Sequence, residues 1–488
     1  MALEIPLNQQ TVHSTSDQYR NGNIALRAHS FKLAHTPSEE PAIPAPHLFD
    51  QLSEPARQSS LTPIRIPNPS ECAAHLKLLQ AIHALRKYVL ESQLLGDALG
   101  IKPEPRTVWR GRRPGRYQAK IKDSTFTKRR DTKWPIYVKF SVLRFLHWVR
   151  TEDAALRAAE LNGEEVDAPL PPLDILMVWH SCLLNPKDFQ LFCKQHSYKH
   201  IRKVEFPWAK IHHAINSADW TFTLSPKDTG TFRSTTNLSP NLETYLHQTP
   251  KLKIVTDLLT DWSSTPWGST GLFLKVMANH PLGTDKFFHR CLKNVPGKEN
   301  IFNQITDAIH RQSTFVDKMH RYLWICSPAA SGTLERAVDR YSKFIKLFKV
   351  YPNKILVPTL DIDLVWHTHQ CSASRYEADM ESYTGRFIDH NDKLGGSVLD
   401  DGMARTRDLY RIRFGKEYSI CLCWDCQAML STVEKLGVSQ TGSKLKVKQC
   451  AERVSLVVTF YREVEKARRA KVALPSWDKK TYGPEYWC

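Results

Sequence analysis

The residues best suited to chemistry lie between Asp363 and Cys426. Asp363, His367 and His369 stand within one short segment, and His390 follows with Asp389 and Asp392 beside it. A carboxylate that holds an imidazole in one tautomer makes it a competent general base, so Asp363, His367, His369 and His390 are the candidate catalytic residues. The sequence places no Ser or Cys nucleophile beside them, and Cys371 is a minor candidate. Farther on, Cys421, Cys423 and Cys426 form the run C-L-C-W-D-C. Zinc takes thiolate and imidazole ligands and favours a short Cys-x-x-Cys knuckle, which Cys423–Cys426 supplies. The three cysteines are therefore candidate ligands for zinc, the metal that suits their softness, with His367, His369 or His390 to complete four. No second such knuckle exists, so buried reduced thiols are the alternative.

What these residues can do depends on the element that carries them. On a helix, Asp363 and His367 share a face and His367 and His369 point about 200° apart; on a strand the two histidines share a face. Pro358 at the start, with Leu360, Leu364 and Val365 for packing, predicts a helix. The pattern Leu-Asp-x-x-x-Val-Trp-His recurs at Leu173–His180 and Leu360–His367, and six of ten positions match from Leu173 to Cys182 and Leu360 to His369. We read two diverged copies of one helical unit, each preceded by an apolar run (139–150 and 336–350). Trp179 and Trp366 are expected to fill an interface, with each shared His bonded to the Asp of its own copy. Asp363 and His369 are replaced by Leu176 and Cys182 in the first copy, so the second is the better candidate for chemistry.

At these residues the chain resembles the glycine-rich domain-containing protein-like family. The resemblance rests on both WH cores, on CAAHLKLLQAIHALR (Cys72–Arg86), on FPWAKIHHAI (Phe206–Ile215) and on the run from Phe387 to Cys426. It covers roughly Ser70–Cys426. What the resemblance implies is a family defined by sequence, with its biochemistry largely unassigned. This chain departs from the family pattern in lacking a Gly-rich tail, in Cys182, and in Asn391-Asp392 after His390.

The second chemical feature is charge. With 68 Lys+Arg against 50 Asp+Glu the chain carries +18, pI near 9.3, which favours polyanions through long-range attraction and counterion release. Pro103–Trp134 holds eleven basic and three acidic residues with Trp109, Tyr117 and Trp134 interleaved. Guanidinium groups and aromatic rings hold phosphates and stack bases. Arg110, Arg112, Arg113, Arg116, Lys128, Arg129 and Arg130 are thus the candidate nucleic-acid-binding residues, and Gly111, Pro114 and Gly115 predict a loop. A solvated insertion, or a localisation signal at Lys128–Arg130, is the plainer alternative.

Composition and patterning predict a mainly α fold with minor β. Residues 1–69 read as a disordered arm rich in Pro, Ser and Gln. Residues 70–230 form the first repeat unit, with 103–134 inserted and some strand near Trp134–Val138. Residues 231–430 form the second, and 431–488 a basic tail. The two units are expected to divide in a loop, Ser225–Asn241. Asn241–Lys275 and Asn300–Arg321 read as helical. In the tail, Lys444, Lys446 and Lys448 are spaced for a strand face, and Arg462–Lys471 for a helix side. The start MALEIPLNQQ has no signal-like apolar run, no stretch of eighteen apolar residues occurs, and the eleven cysteines lack a disulfide-like spacing. These features point to the cytoplasm or nucleus. The expected partner is RNA, tRNA included, or another polyanion. An enzyme acting on an RNA-borne substrate such as an aminoacyl-tRNA, in acyl transfer for small-molecule biosynthesis, and a non-catalytic scaffold are the alternatives.

Overall fold

The computed structural model describes residues 32–33, 43–53, 64–112, 114–164, 168–248, 299–390, 395–436 and 444–476. Helix α1 (Pro69–Glu91) leads to α2 (Gln93–Ala98), a hairpin of β1 (Arg106–Arg110) and β2 (Tyr117–Ile121), α3 (Phe126–Asp131) and α4 (Lys133–Leu161). The first WH core lies on α5 (Leu173–Leu183), before α6 (Pro186–His196), α7 (Trp208–Ala214), α8 (Pro226–Thr236) and α9 (Leu242–Gln248). Then follow α10 (Glu299–Tyr322), α11 (Ala330–Val350), α12 (Leu360–Gln370) with the second core, α13 (Ala373–Thr384), α14 (Gly396–Phe414), α15 (Trp424–Leu436) and α16 (Lys444–Ala470). Among the described residues the β structure is that hairpin and a two-residue pairing of Lys32–Leu33 with Pro475–Ser476. The chain is mainly α with minor β. None of the described helices is long and apolar enough to cross a membrane.

Two compact units result, neither a single stretch of chain. One comprises Ala81–Val204 and Phe222–Phe315; the other comprises the residues up to Gln80, Glu205–Thr221 and the residues from Val316 onward. The first is built around α4, whose buried side chains run from Trp134 to Leu156. The strand expected near Trp134–Val138 is therefore the opening turn of this helix. Trp134, Val138, Phe145 and Val149 recur at helical spacing, and burial along the whole run outweighs local strand preference. Ser225–Asn241, expected as a loop, contains α8. Ser225 caps it by accepting from Asp228 N at 3.0 Å, Pro226 takes the first position, and Asn237 ends it in the left-handed region at φ 58°. Ser, Pro and Asp were helix-start residues here, not loop punctuation.

Each WH helix packs against the helix before it in the same way. Arg144 on α4 meets Asp174 at 2.7 Å, and Arg340 on α11 meets Asp361 at 2.6 Å. One turn farther along α4, Trp148 packs on Trp179 with ring centres 5.2 Å apart; one turn along α11, Phe344 packs on Trp366 at 5.7 Å. The shared Asp of each core is thus held by an arginine, which corrects the expected Asp–His pairing. Each Asp also lies in the first turn of its helix, where the positive end of the dipole favours it. Both guanidinium groups find further acceptors: Ser239 O for Arg144 at 2.8 Å, Tyr418 O for Arg340 at 2.7 Å.

The N-terminal stretch lies mostly outside the described residues. Within it Pro46–Ser53 form a 3-10 helix, and Leu48, Ile64 and Ile66 are buried. Lys444–Lys448, expected as strand, open α16, because the apolar residues that follow, Val454, Val458, Phe460 and Val464, are buried at helical spacing. Asn241–Lys275 is described only as far as Gln248, where α9 ends, and Asn300–Arg321 lies within α10.

Candidate functional site

Thr359 precedes α12, its hydroxyl donating to Asp361 Oδ1 at 2.6 Å, and the helix carries Asp363 and His367 one turn apart on one face. His367 Nε2 lies 3.3 Å from Asp363 Oδ1. His390 arrives from the segment after α13, its Nε2 3.2 Å from His367 Nε2 and 3.4 Å from Asp363 Oδ1. The three side chains are 20%, 2% and 12% exposed for Asp363, His367 and His390, so the group opens on the Asp363 side. A short chain of hydrogen bonds fixes the segment that brings His390. Trp366 Nε1 donates to Tyr376 Oη at 2.8 Å, and Tyr376 Oη donates to Ile388 O at 2.7 Å. The Trp366 ring then meets His390 edge-on at 5.0 Å.

The surroundings set the charge of the group. Burial pushes His367 down to about 4, reinforced by His390 and opposed by Asp363, so the ring is neutral at pH 7. Burial alone would raise Asp363, but His367 and His390 outweigh it and keep the carboxyl below its usual range. A neutral imidazole beside an ionised carboxylate can take a proton or hold a cation.

His369 stands apart from this group. Its Nδ1 lies 2.9 Å from Tyr341 Oη and its Nε2 3.1 Å from Asp379 Oδ2, in full burial. Two residues along a helix turn it about 200° from His367, and both its nitrogens are engaged. It ties α12 to Tyr341 of α11 and Asp379 of α13, away from Asp363, His367 and His390.

The three cysteines do come together. Cys421 and Cys423 Sγ lie 3.4 Å apart, Cys426 is buried in the first turn of α15, and the three thiols lie within 4.8 Å of one another. Their mutual contacts push the Cys426 thiol well up. They form one group and Asp363, His367 and His390 another; among the described residues the cysteine group contains no histidine.

The basic stretch is a hairpin and a short helix, with Gly111, Pro114 and Gly115 in the turn between the strands. Arg106 pairs with Ile121, and Arg110 with Tyr117. Gly111 turns the chain at φ 91°, where a Cβ would come within 2.5 Å of Gly115 O. Only glycine suits that turn. Only Val108 and Ala119 are half-buried; the other residues of both strands are exposed, Trp109 and Tyr117 at 54% and 58%. Arg110, Arg112, Arg116 and Lys128 are exposed, and the Arg116 guanidinium lies over the Trp109 ring at 5.5 Å. Arg129 instead bonds Glu104, Asp123 and Lys102 O, while Arg130 pairs with Asp131. Arg129 thus braces the hairpin base. Arg113 lies outside the described residues. In the tail, Arg462 pairs with Asp425, and Arg468 and Arg469 with Glu465, so that part of the expected basic field is neutralised by contacts.

Sequence reasoning passed over Arg144, Arg340, Trp148, Phe344 and Tyr376. One signal was available: Arg-x-x-x-aromatic stands ahead of each core, as Arg144–Trp148 and Arg340–Phe344. A pocket of about 190 Å³ beside α6 and α10, lined in part by Phe189, Phe192, Gln195 and Ile305, contains neither chemical group.

Residues 271–379 match the sequence model of the glycine-rich domain-containing protein-like family. Glycine-rich domain-containing protein 1 of Arabidopsis thaliana is 27% identical over 184 residues, 33% of this chain and 22% of that protein. Glycine-rich domain-containing protein 2 of the same plant is 36% identical over 130 residues, 25% of this chain and 15% of that protein. The chain thus spans at most 22% of the length of these curated relatives. No solved structure matches. The match to the family model contains Asp363, His367 and His369, so this stretch of the chain is similar to the glycine-rich domain-containing protein-like family.

Proposed function

We propose that the protein binds RNA through the β1–β2 hairpin, in the cytosol or nucleus. The observation that carries this reading is the exposure of a hairpin holding seven basic and no acidic residues from Arg106 to Lys122, with Trp109 and Tyr117 at its surface. A two-stranded hairpin is marginal alone, and donors on both faces suit a backbone of phosphates whose bases stack on the rings.

Fluorescence anisotropy of a labelled tRNA across a salt series tests it. Affinity is expected to fall linearly on a log–log plot, and Arg110→Gln/Arg112→Gln/Arg116→Gln to flatten the slope by about 2. Binding indifferent to salt, or an unchanged slope in the triple variant, sinks the reading. Tighter binding to phosphatidylserine vesicles than to tRNA would reassign the hairpin to a membrane surface.

The grouping of Asp363, His367 and His390 favours a second reading, in which RNA delivers the substrate. In that reading the cluster is the proton acceptor for acyl transfer from an aminoacyl-tRNA.

A further inference from the structure

We propose that Asp363 Oδ1, His367 Nε2 and His390 Nε2 bind a first-row divalent transition-metal ion, zinc best of all, with a position left open for water or a substrate oxygen. The inference rests on reading this cluster as a chemical site and goes beyond it by naming what the cluster holds. Its basis is the triangle of 3.2, 3.3 and 3.4 Å between the three atoms. An imidazole Nε2 has one in-plane lone pair or one N–H, so it serves one partner. Here each Nε2 is close to two. Charge-assisted hydrogen bonds also close to about 2.7–2.9 Å, shorter than any edge of this triangle. A shared cation at the centre accounts for all three edges. In a tetrahedron the edge is about 1.6 times the centre-to-corner distance, so zinc bonds of about 2.0–2.1 Å give edges of about 3.3–3.4 Å.

The surroundings agree with that geometry. Two imidazoles and a carboxylate are a donor set for zinc or iron(II), and three protein ligands leave the open position of a catalytic rather than a structural site. Trp366, Tyr376 and Ile388 O hold the His390 segment in place. The first copy has His180 but Leu176 in place of Asp363, so it lacks the set. An ion here would acidify a bound water and polarise an acyl oxygen.

The test uses the full chain with Cys421, Cys423 and Cys426 changed to Ser, so that no zinc at the thiols is counted. After removal of metal with a chelator, zinc is titrated by calorimetry and cobalt(II) by its visible spectrum; iron(II) is titrated anaerobically. One equivalent of zinc is expected, with a four-coordinate cobalt spectrum free of thiolate bands. Asp363→Leu, which installs the residue of the first copy, and His390→Ala should each weaken zinc by about 100-fold or more, with unchanged circular dichroism. Zinc binding equal in both variants and the parent, or none in the parent, overturns the proposal. Tighter iron(II) binding with a six-coordinate cobalt spectrum keeps the site and overturns zinc. If metal binds and no aminoacyl-tRNA turns over, the catalytic reading falls and the metal site stands. Turnover that survives metal removal keeps the catalytic reading and takes the ion out of its chemistry.

Discussion

Arg340 Nε donates to Asp361 Oδ2 at 2.6 Å, in a setting where the two side chains are 8% and 2% exposed. The pair ties α11 to the first turn of α12, and so sets where Asp363 and His367 stand. Removing one partner leaves a buried charge without compensation, which costs about 3–5 kcal/mol. Arg340→Met is expected to lower the unfolding free energy by that amount in urea titrations. The double change Arg340→Met/Asp361→Leu should recover most of the loss, and equal losses in the two variants would contradict the assignment.

Tyr376 joins the WH core to the segment of His390. Tyr376→Phe removes the hydroxyl that donates to Ile388 O and accepts from Trp366 Nε1. The expected cost is about 1–3 kcal/mol for the partners left unsatisfied. The readout specific to positioning is the NMR signal of the His390 ring, which should broaden or shift while that of His369 stays in place. A His390 signal that does not move would show that the segment is held by other contacts.

Lys77 gives stability a dependence on alkaline pH. Its side chain is buried, with Nζ donating to His212 O at 2.9 Å, and burial lowers it to about 8 from 10.5. Between those values the unfolded chain binds more protons than the folded one, so this group's contribution rises with pH from about 8 to 10.5 and is fully unfavourable below 8. His212, pushed down to about 4 by burial and then by Lys77, behaves alike between 4 and 6.5. Urea titrations of Lys77→Met and wild type should therefore converge as pH rises above 8. A constant gap between them would refute it.

For the cysteines, the close approach of Cys421, Cys423 and Cys426 predicts a shared response to zinc. Adding zinc to the metal-free chain should slow alkylation of all three together, as measured by mass spectrometry, and leave Cys450 unchanged. Zinc without effect on their rates would identify them as core thiols.

Much of the second core was legible in the sequence, because its logic is local. Pro358 and the apolar spacing of Leu360, Leu364 and Val365 specify the helix, and 3.6 residues per turn then puts Asp363 above His367 and turns His369 away. The composition of Arg106–Lys122 likewise marks a basic, aromatic surface whatever its backbone does. Local signals misled where a residue has two uses. Lys444, Lys446 and Lys448 alternate as a strand would, yet the apolar face of α16 beyond them decides their conformation. Ser225 and Pro226 look like loop residues until a helix begins on them.

The sequence by itself determined the helix that carries Asp363 and His367, the charge of the insertion and the likeness of the two cores. Only the tertiary structure decided that His390 joins Asp363 and His367, that His369 is bound to Tyr341 and Asp379, that Arg129 is consumed at the hairpin base, and that Arg144 and Arg340 hold the shared aspartates. The physical reason is range: backbone periodicity fixes neighbours within a turn or two, whereas contacts across 20 or more residues depend on which packing buries the most apolar surface while leaving no buried charge alone.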